Sequence, residues 1–163
     1  MTVTLKPVSS MQDRKLVLDL YQGAADYFAL TGQGYPSRAT VEEDRTARPA
    51  QLPANAKHYG VLMTGATAVG VLDYVVGYPT VDSLYIGLLL LPVTQRRRGL
   101  GTQVVAQLHA EHPECRRFRV AVADANEGGM QFWLAQGFRF VRAGQASLGT
   151  GHTLAVTLLD RQW

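Results

Sequence analysis

Cysteine is almost missing from this chain of 163 residues, where Cys115 stands alone. No intrachain disulfide can brace the fold, and a reducing compartment is the natural setting. Lysine is scarce too, with three copies against thirteen arginines. The net charge of +3 is too small to imply a nucleic-acid partner by itself. The arginines gather at Arg96–Arg98 and Arg116–Arg119, where guanidinium groups suit phosphate or carboxylate. Long apolar runs are missing as well: the longest, Leu84 to Leu91, is about half of a membrane span. The start, M-T-V-T-L-K-P, carries no apolar signal core behind a basic head. A cytoplasmic protein with no membrane partner is expected. Repeats, linkers and low-complexity tracts are absent, so a single domain over 1–163 is expected, with 47% hydrophobic residues to build its core.

What is present centres on Ser83 to Ala110. Leu84 to Leu91 reads as a buried strand, which Pro92 ends because proline has no N–H to donate. A polar turn, Thr94-Gln95-Arg96-Arg97-Arg98, is closed by Gly99-Leu100-Gly101. Leu100, Val104, Val105 and Leu108 then recur at helical spacing. The first turn of a helix has amides without partners and the positive end of the macrodipole. Two glycines keep Cβ atoms out of a ligand's way, three arginines add charge, and Thr102 adds a hydroxyl. The layout is that of a diphosphate site. It is not a dinucleotide fingerprint, which wants a small residue where Val104 stands, nor a P-loop, which wants Lys-Ser/Thr after the last glycine.

The rest of the chain gives its elements in order. Thr2 to Val8 reads as an edge strand, and Ser9 or Ser10 can cap a helix whose stripe runs from Leu16 to Phe28. Gly32 to Pro36 stops that helix. Thr40-Val41-Glu42-Glu43 reads as a capping box opening a second helix that Pro49 ends. His58–Met63 and Ala68–Val76 make a hairpin. After the central strand and helix come a strand at Phe118–Ala123, a helix at Gly128–Gln136, and strands at Phe138–Val141 and Leu154–Leu159. A glycine-rich loop, Gly144 to Gly151, joins the last two. The order β-α-α-β-β-β-α-β-α-β-β predicts an α/β fold on a mixed sheet.

The run Arg96-Arg97-Arg98-Gly99-Leu100-Gly101 resembles the R/Q-x-x-G-x-G/A signature of the GNAT superfamily of acetyl-CoA-dependent N-acetyltransferases. The stretch Asn126 to Phe138, N-E-G-G-M-Q-F-W-L-A-Q-G-F, resembles that family's second signature, N-x-x-A-x-x-F-Y-x-x-x-G-F. The likeness spans roughly residues 58–141, and the element order extends it over the chain. It implies a central sheet of six to seven strands flanked by about four helices and splayed between the fourth and fifth strands. Pantetheine would lie in the gap against the backbone of Leu89, Leu90 and Leu91. The pyrophosphate would sit on the amides from Arg97 through Arg98, Gly99, Leu100 and Gly101 to Thr102, with Arg96 or Arg98 near the ribose phosphate. Asn126 would reach the pantetheine or its neighbouring backbone, and Phe132 and Trp133 are further coenzyme-contact candidates whose helical spacing also reads as core.

In that family an amine attacks the thioester directly. An alkylamine of pKa near 10.4 must lose a proton at pH 7, which costs about 4.6 kcal/mol. The carbonyl oxygen needs a donor, for which the N–H of Leu91 is a candidate. For the base, Tyr85 is a candidate, with Asp73 and Tyr74 on the preceding strand as further ones, and a carboxylate inside V-L-D-Y-V needs solvent or a partner. Tyr27, Phe28, Tyr35, Asp73 and Tyr78 are candidates for the acceptor pocket. Trp133 departs from the family, since it stands where a tyrosine usually protonates the leaving thiolate and an indole is no acid in the working range. That departure leaves room for a weakly catalytic acyl-CoA-binding sensor. The expected co-substrate is acetyl-CoA, without a metal. His109-x-x-His112-x-x-Cys115 reads as helix-end residues rather than ligands. The acceptor is a small-molecule or protein amine, with no nucleic acid, and a homodimer is among the states the family implies.

Overall fold

The computed structural model describes residues 2–148 and 151–163. Strand β1 (Val3–Pro7) leads into helix α1 (Met11–Gln22) through a capping box. The Ser10 hydroxyl accepts from the Asp13 amide at 3.0 Å, and the Asp13 carboxylate accepts back from the Ser10 amide at 3.1 Å. That backbone donor, with Lys6 beside it, holds the Asp13 carboxyl well below the usual carboxylate range. Ser10→Ala should therefore lower stability by about 1 kcal/mol, as a shift in the urea midpoint with an unchanged slope.

The single stripe read from Leu16 to Phe28 is broken in two, α1 and α2 (Ala25–Leu30). The Gly23 carbonyl accepts from the Val93 amide at 3.0 Å, while the Tyr27 amide, its helical partner, bonds the Ala24 carbonyl at 3.0 Å instead. A Cβ on Gly23 would meet Pro92 at 2.8 Å, which is why glycine occupies the corner. Helix α3 (Arg38–Thr46) starts before the expected box: Ser37 is its cap, and Thr40 supplies the reciprocal bond to the Ser37 amide at 3.0 Å.

Strands β2 (Lys57–Thr64) and β3 (Thr67–Val76) form the hairpin, followed by β4 (Ser83–Leu90), α4 (Leu100–Glu111), β5 (Arg117–Ala123) and α5 (Glu127–Ala135). The last hairpin is longer than its sequence suggested. Strands β6 (Arg139–Leu148) and β7 (His152–Gln162) pair from Arg139↔Asp160 to Leu148↔His152. Most of the expected loop at Gly144–Gly151 is thus strand, held by cross-strand bonds that no local pattern reveals. Its Gly149 and Thr150 lie outside the described residues.

Among the described residues seven strands form one sheet in the order β1-β2-β3-β4-β5-β7-β6, and only β4 and β5 run parallel. Helices α1–α3 cover one face of β2–β4, around Val17, Tyr21, Phe28, Val61 and Val71. Helices α4 and α5 cover the other, around Leu72, Leu84, Val104, Phe118 and Phe138. Strands β2, β3 and β4 alternate between these two separate cores. Among the described residues, no helix is long and apolar enough to cross a membrane.

The sheet opens in its middle. β4 pairs with β5 only from Ser83↔Arg117 to Ile86↔Val120, while it stays paired with β3 out to Leu90. The parallel pair therefore splays from Gly87 onward. At the same point β3 pairs Asp73 with Leu88 but Tyr74 with Ile86, so Gly87 is the extra residue of a β-bulge. Gly87 is solvent-exposed in the middle strand of the sheet, which requires a cleft to reach it.

Candidate functional site

The turn after β4 presents amides. Arg97 and Gly99 take positive φ values of 61° and 78°, and the first intrahelical bond of α4 runs from Gln103 N–H to the Gly99 carbonyl at 3.1 Å. The amides of Leu100, Gly101 and Thr102 precede it and have no intrahelical acceptor. A Cβ at Gly99 would meet nothing within 4 Å, so this glycine serves the left-handed backbone and leaves the amides open. Gly101 is different. A Cβ there would lie 2.8 Å from the Phe132 ring, so its bareness seats an aromatic side chain of α5 and does not make room for a ligand.

Above this turn lies a cavity of about 530 Å³, within the range of coenzyme-sized sites. Leu89, Leu90 and Leu91 line one side, Asn126, Phe132 and Trp133 the other, and Arg96, Arg97 and Gly101 line the end at the turn. The cavity runs along the splay, where the β5 side of β4 has no partner strand. The remaining residues of the turn do other work. The Leu100 side chain is buried in the core and Thr102 is exposed, its hydroxyl accepting from Gln136 at 2.9 Å. Arg98 is exposed beside Gln95.

Arg96 is not available to a ribose phosphate in the way the sequence suggested. Its Nε donates to the Leu91 carbonyl at 2.9 Å, and its fork grips Asp26 at 2.6 and 2.8 Å. The Arg96 guanidinium holds Asp26 below the usual carboxylate range and ties the end of β4 to α2. The exposed charge at the turn belongs to Arg97 and Arg98.

On the far wall, Asn126 caps α5, its Oδ1 accepting from the Gly129 amide at 3.0 Å. Its side chain is therefore fixed while it faces the cavity. Trp133 is buried, edge-on to Phe132 and Phe138 with ring centroids 4.9 Å apart in each pair. It is core and cavity wall at once.

The acceptor candidates divide. Phe28, at 1% exposure, is core, and Tyr35, at 70%, stands on the surface; neither lines the cavity. Tyr27 does line it, with burial pushing its phenol up to about 12. Tyr85 and Tyr78 pack edge to face at 5.6 Å. Burial, then Tyr78, raises the Tyr85 phenol above its ordinary value, so it stays protonated at neutral pH and is a poor base.

Asp73 lies on the α1–α3 face of β3, its Oδ2 only 3.1 Å from where a Cβ of Gly87 would be. The carboxylate thus overhangs the apex of the splay. Burial pushes its pKa to about 6, against the lowering pull of Lys57 at 2.8 Å. Leu91 sits past the end of β4 and away from the apex, with its carbonyl held by Arg96. The backbone nearest the apex is that of Gly87 and Leu88. Lys57, Asp26 and Gly87 were not singled out from sequence. The only local hint was glycine inside an apolar strand, which marks bulges.

The acetyltransferase (GNAT) family model matches residues 19–138. The chain belongs to the GNAT acetyltransferase family. Among curated proteins no sequence matches it. Among solved structures, an acetyltransferase from Thermus thermophilus is 28% identical, with 100% of this chain and 98% of that one covered and a TM-score of 0.82. The PaiA N-acetyltransferase of Thermoplasma acidophilum, solved with coenzyme A, is 12% identical over 100% of both chains, at a TM-score of 0.66. A Bacillus subtilis acetyltransferase in complex with CoA is 14% identical over 99% of this chain and 98% of that one, at 0.63. The last two show the shared fold alone.

The GNAT sheet, splayed between its fourth and fifth strands, is as the resemblance implied; among the described residues it carries five α-helices where about four were expected. The histidines and cysteine at the end of α4 diverge. His109 stacks on Trp163 at 3.6 Å, His112 bonds the Tyr74 hydroxyl at 3.1 Å, and Cys115 is buried.

Proposed function

We propose that this GNAT protein transfers an acetyl group from acetyl-CoA to a primary amine by direct attack, with no acyl group passing through the enzyme. The observation that carries this reading is the splay itself: β4 parts from β5 after Ile86, the cavity begins along it at Leu89, and the Asp73 carboxylate overhangs Gly87 between the two. The residues present fit the coenzyme. The open amides of Leu100, Gly101 and Thr102 and the exposed Arg97 suit its pyrophosphate, and the unpaired edge of β4 at Leu89–Leu91 suits the amides of its pantetheine arm.

Asp73 is the base in this reading. It takes the proton from the acceptor's ammonium, and the freed nitrogen lone pair attacks the carbonyl carbon. As the C–N bond forms and the C–S bond breaks, the second proton passes from nitrogen to solvent water, and the sulfur departs with the bonding pair and takes a proton from solvent. A carboxyl of pKa about 6 is better matched to an amine near 10.4 than an ordinary aspartate; two pKa units lessen the mismatch by about 3 kcal/mol. In this reading an amide at the bulge, that of Gly87 or Leu88, receives the charge that builds on the carbonyl oxygen, in preference to that of Leu91. The acceptor amine approaches from the Asp73 face, past Tyr78 and Tyr85.

Release of free thiol from acetyl-CoA over a panel of alkylamines and aminated peptides tests the proposal. Acetyl-CoA bound tightly with no amine-dependent release would sink it. That outcome would favour the second reading, an acyl-CoA sensor, for which Trp133 speaks because it offers no acid to the sulfur. The direct test is Trp133→Tyr, which should keep or raise turnover. A loss of more than about tenfold (1.4 kcal/mol) at normal stability would show that the indole has its own part.

A further inference from the structure

Lys57 opens β2 and is 7% exposed, against 14% for Asp73. Its ammonium donates to Asp73 Oδ1 at 2.8 Å and to the Ala47 carbonyl at 2.5 Å. The Asp73 carboxylate is therefore two-sided: Oδ1 is pinned by Lys57, and Oδ2 is the oxygen that overhangs Gly87. Such a pair does little for folding as such, because desolvating both charges offsets much of their attraction and two apolar residues of similar size do as well. What the pair accomplishes is to keep a carboxylate ionised and oriented inside an otherwise apolar core.

We propose that Lys57 is a positioning residue for the acetyl transfer: it pins one oxygen of Asp73, aims the other at the apex of the splay, and keeps the carboxyl charged to receive the acceptor's proton. This rests on the transferase reading given above for the role of Asp73, but the hold of Lys57 on Asp73 stands apart from it.

The groups around the carboxylate make the cation necessary. Asp73 is faced from β2 by Lys57 and Tyr59, from α3 by Asp44, and on β4 by Tyr85 along the same side. Asp44 is bonded to the Tyr21 hydroxyl of α1 at 2.6 Å, and Tyr21 to Tyr59 at 2.6 Å. The like charge of Asp44 raises the proton affinity of Asp73, and burial raises that of both. Among these groups Lys57 is the cation. Without it, two buried carboxyls share one apolar pocket and at least one takes up a proton near neutral pH.

The test replaces Lys57 by methionine, which keeps the stem and removes the charge. In the carbon-13 titration of the Asp73 carboxyl, the midpoint should move from about 6 upward by at least about one unit, within the range for an opposite charge at contact. Lys57→Arg should keep the midpoint near that of the parent. The acid limb of kcat/KM for amine acetylation should follow the carboxyl midpoint in all three proteins, with KM for acetyl-CoA unchanged. Should Lys57→Met fail to fold, Lys57→Gln carries the same comparison. An Asp73 midpoint unmoved by loss of the charge overturns the proposal, as does an acid limb that stays in place while the carboxyl shifts. If the parent protein acetylates no amine, the transferase reading fails, and the carboxyl titration alone decides whether Lys57 holds Asp73 charged.

Discussion

Gly101→Glu is expected to abolish acetyl-CoA binding. Two effects act at this position. A Cβ must displace the Phe132 ring, now 2.8 Å from where it would sit, and that ring is a wall of the cavity. The added carboxylate would also stand within the first turn of α4, where the amides of Leu100 and Thr102 face the place a diphosphate would take. A loss of at least about a hundredfold in affinity, or 2.7 kcal/mol, should be seen by calorimetry with the near-ultraviolet dichroism intact. Gly101→Gln separates the causes, since it has the bulk without the charge. If the glutamine variant binds as poorly as the glutamate one, Phe132 is the whole explanation. If both bind normally, the diphosphate site is misplaced.

Asp73→Asn should lower kcat by about a hundredfold to a thousandfold, the usual range for loss of a general base, with little change in KM for acetyl-CoA. The asparagine keeps the shape and cannot take a proton. A variant that retains parental turnover would remove Asp73 from the chemistry. The same residue should be visible in stability. Its folded pKa, about 6, lies above the ordinary value of 3.8, so the native state holds this proton more tightly than the unfolded chain does. Between roughly pH 4 and 6 this group therefore makes stability fall as pH rises. The double variant Lys57→Met/Asp73→Leu removes both charges and should be at least as stable as the parent at pH 7, lack that pH dependence, and be inactive. A double variant much less stable than its parent would show that the pair is retained for folding, which is a different conclusion about the site.

The contrast between the two halves of the site follows from how far apart in sequence their parts are. The strand-turn-helix at the end of the cavity was legible because it is local. A strand ended by Pro92, a turn of positive-φ residues, and a helix beginning at Leu100 are set by propensities acting within a few residues. The cap at Asn126 and the packing of Trp133 on Phe138 are local in the same sense. The hairpin of β2 and β3 was legible for the same reason. Its register was not. Counted back from the turn, a regular hairpin sets Lys57 opposite Tyr74, but the irregularity at Leu62/Met63 shifts the pairing so that Lys57 faces Val75. That single step moves Lys57 to the Asp73 face of the sheet.

The strand order along the chain, the mixed sheet and the glycine-bearing strand-turn-helix were therefore legible in the residues, because each follows from periodicity and turn chemistry within a short window, whereas the split of the first helix was not. Only the tertiary structure decided that Gly101 makes room for Phe132, that Val93 breaks the first helix at Gly23, that Arg96 belongs to Asp26 across 70 residues, and that Asp73 meets Lys57 over Gly87. These depend on strand register and on how helices dock. Register is fixed by summed packing over whole strands, and docking by the shapes of two cores, so neither is written in the residues that finally touch.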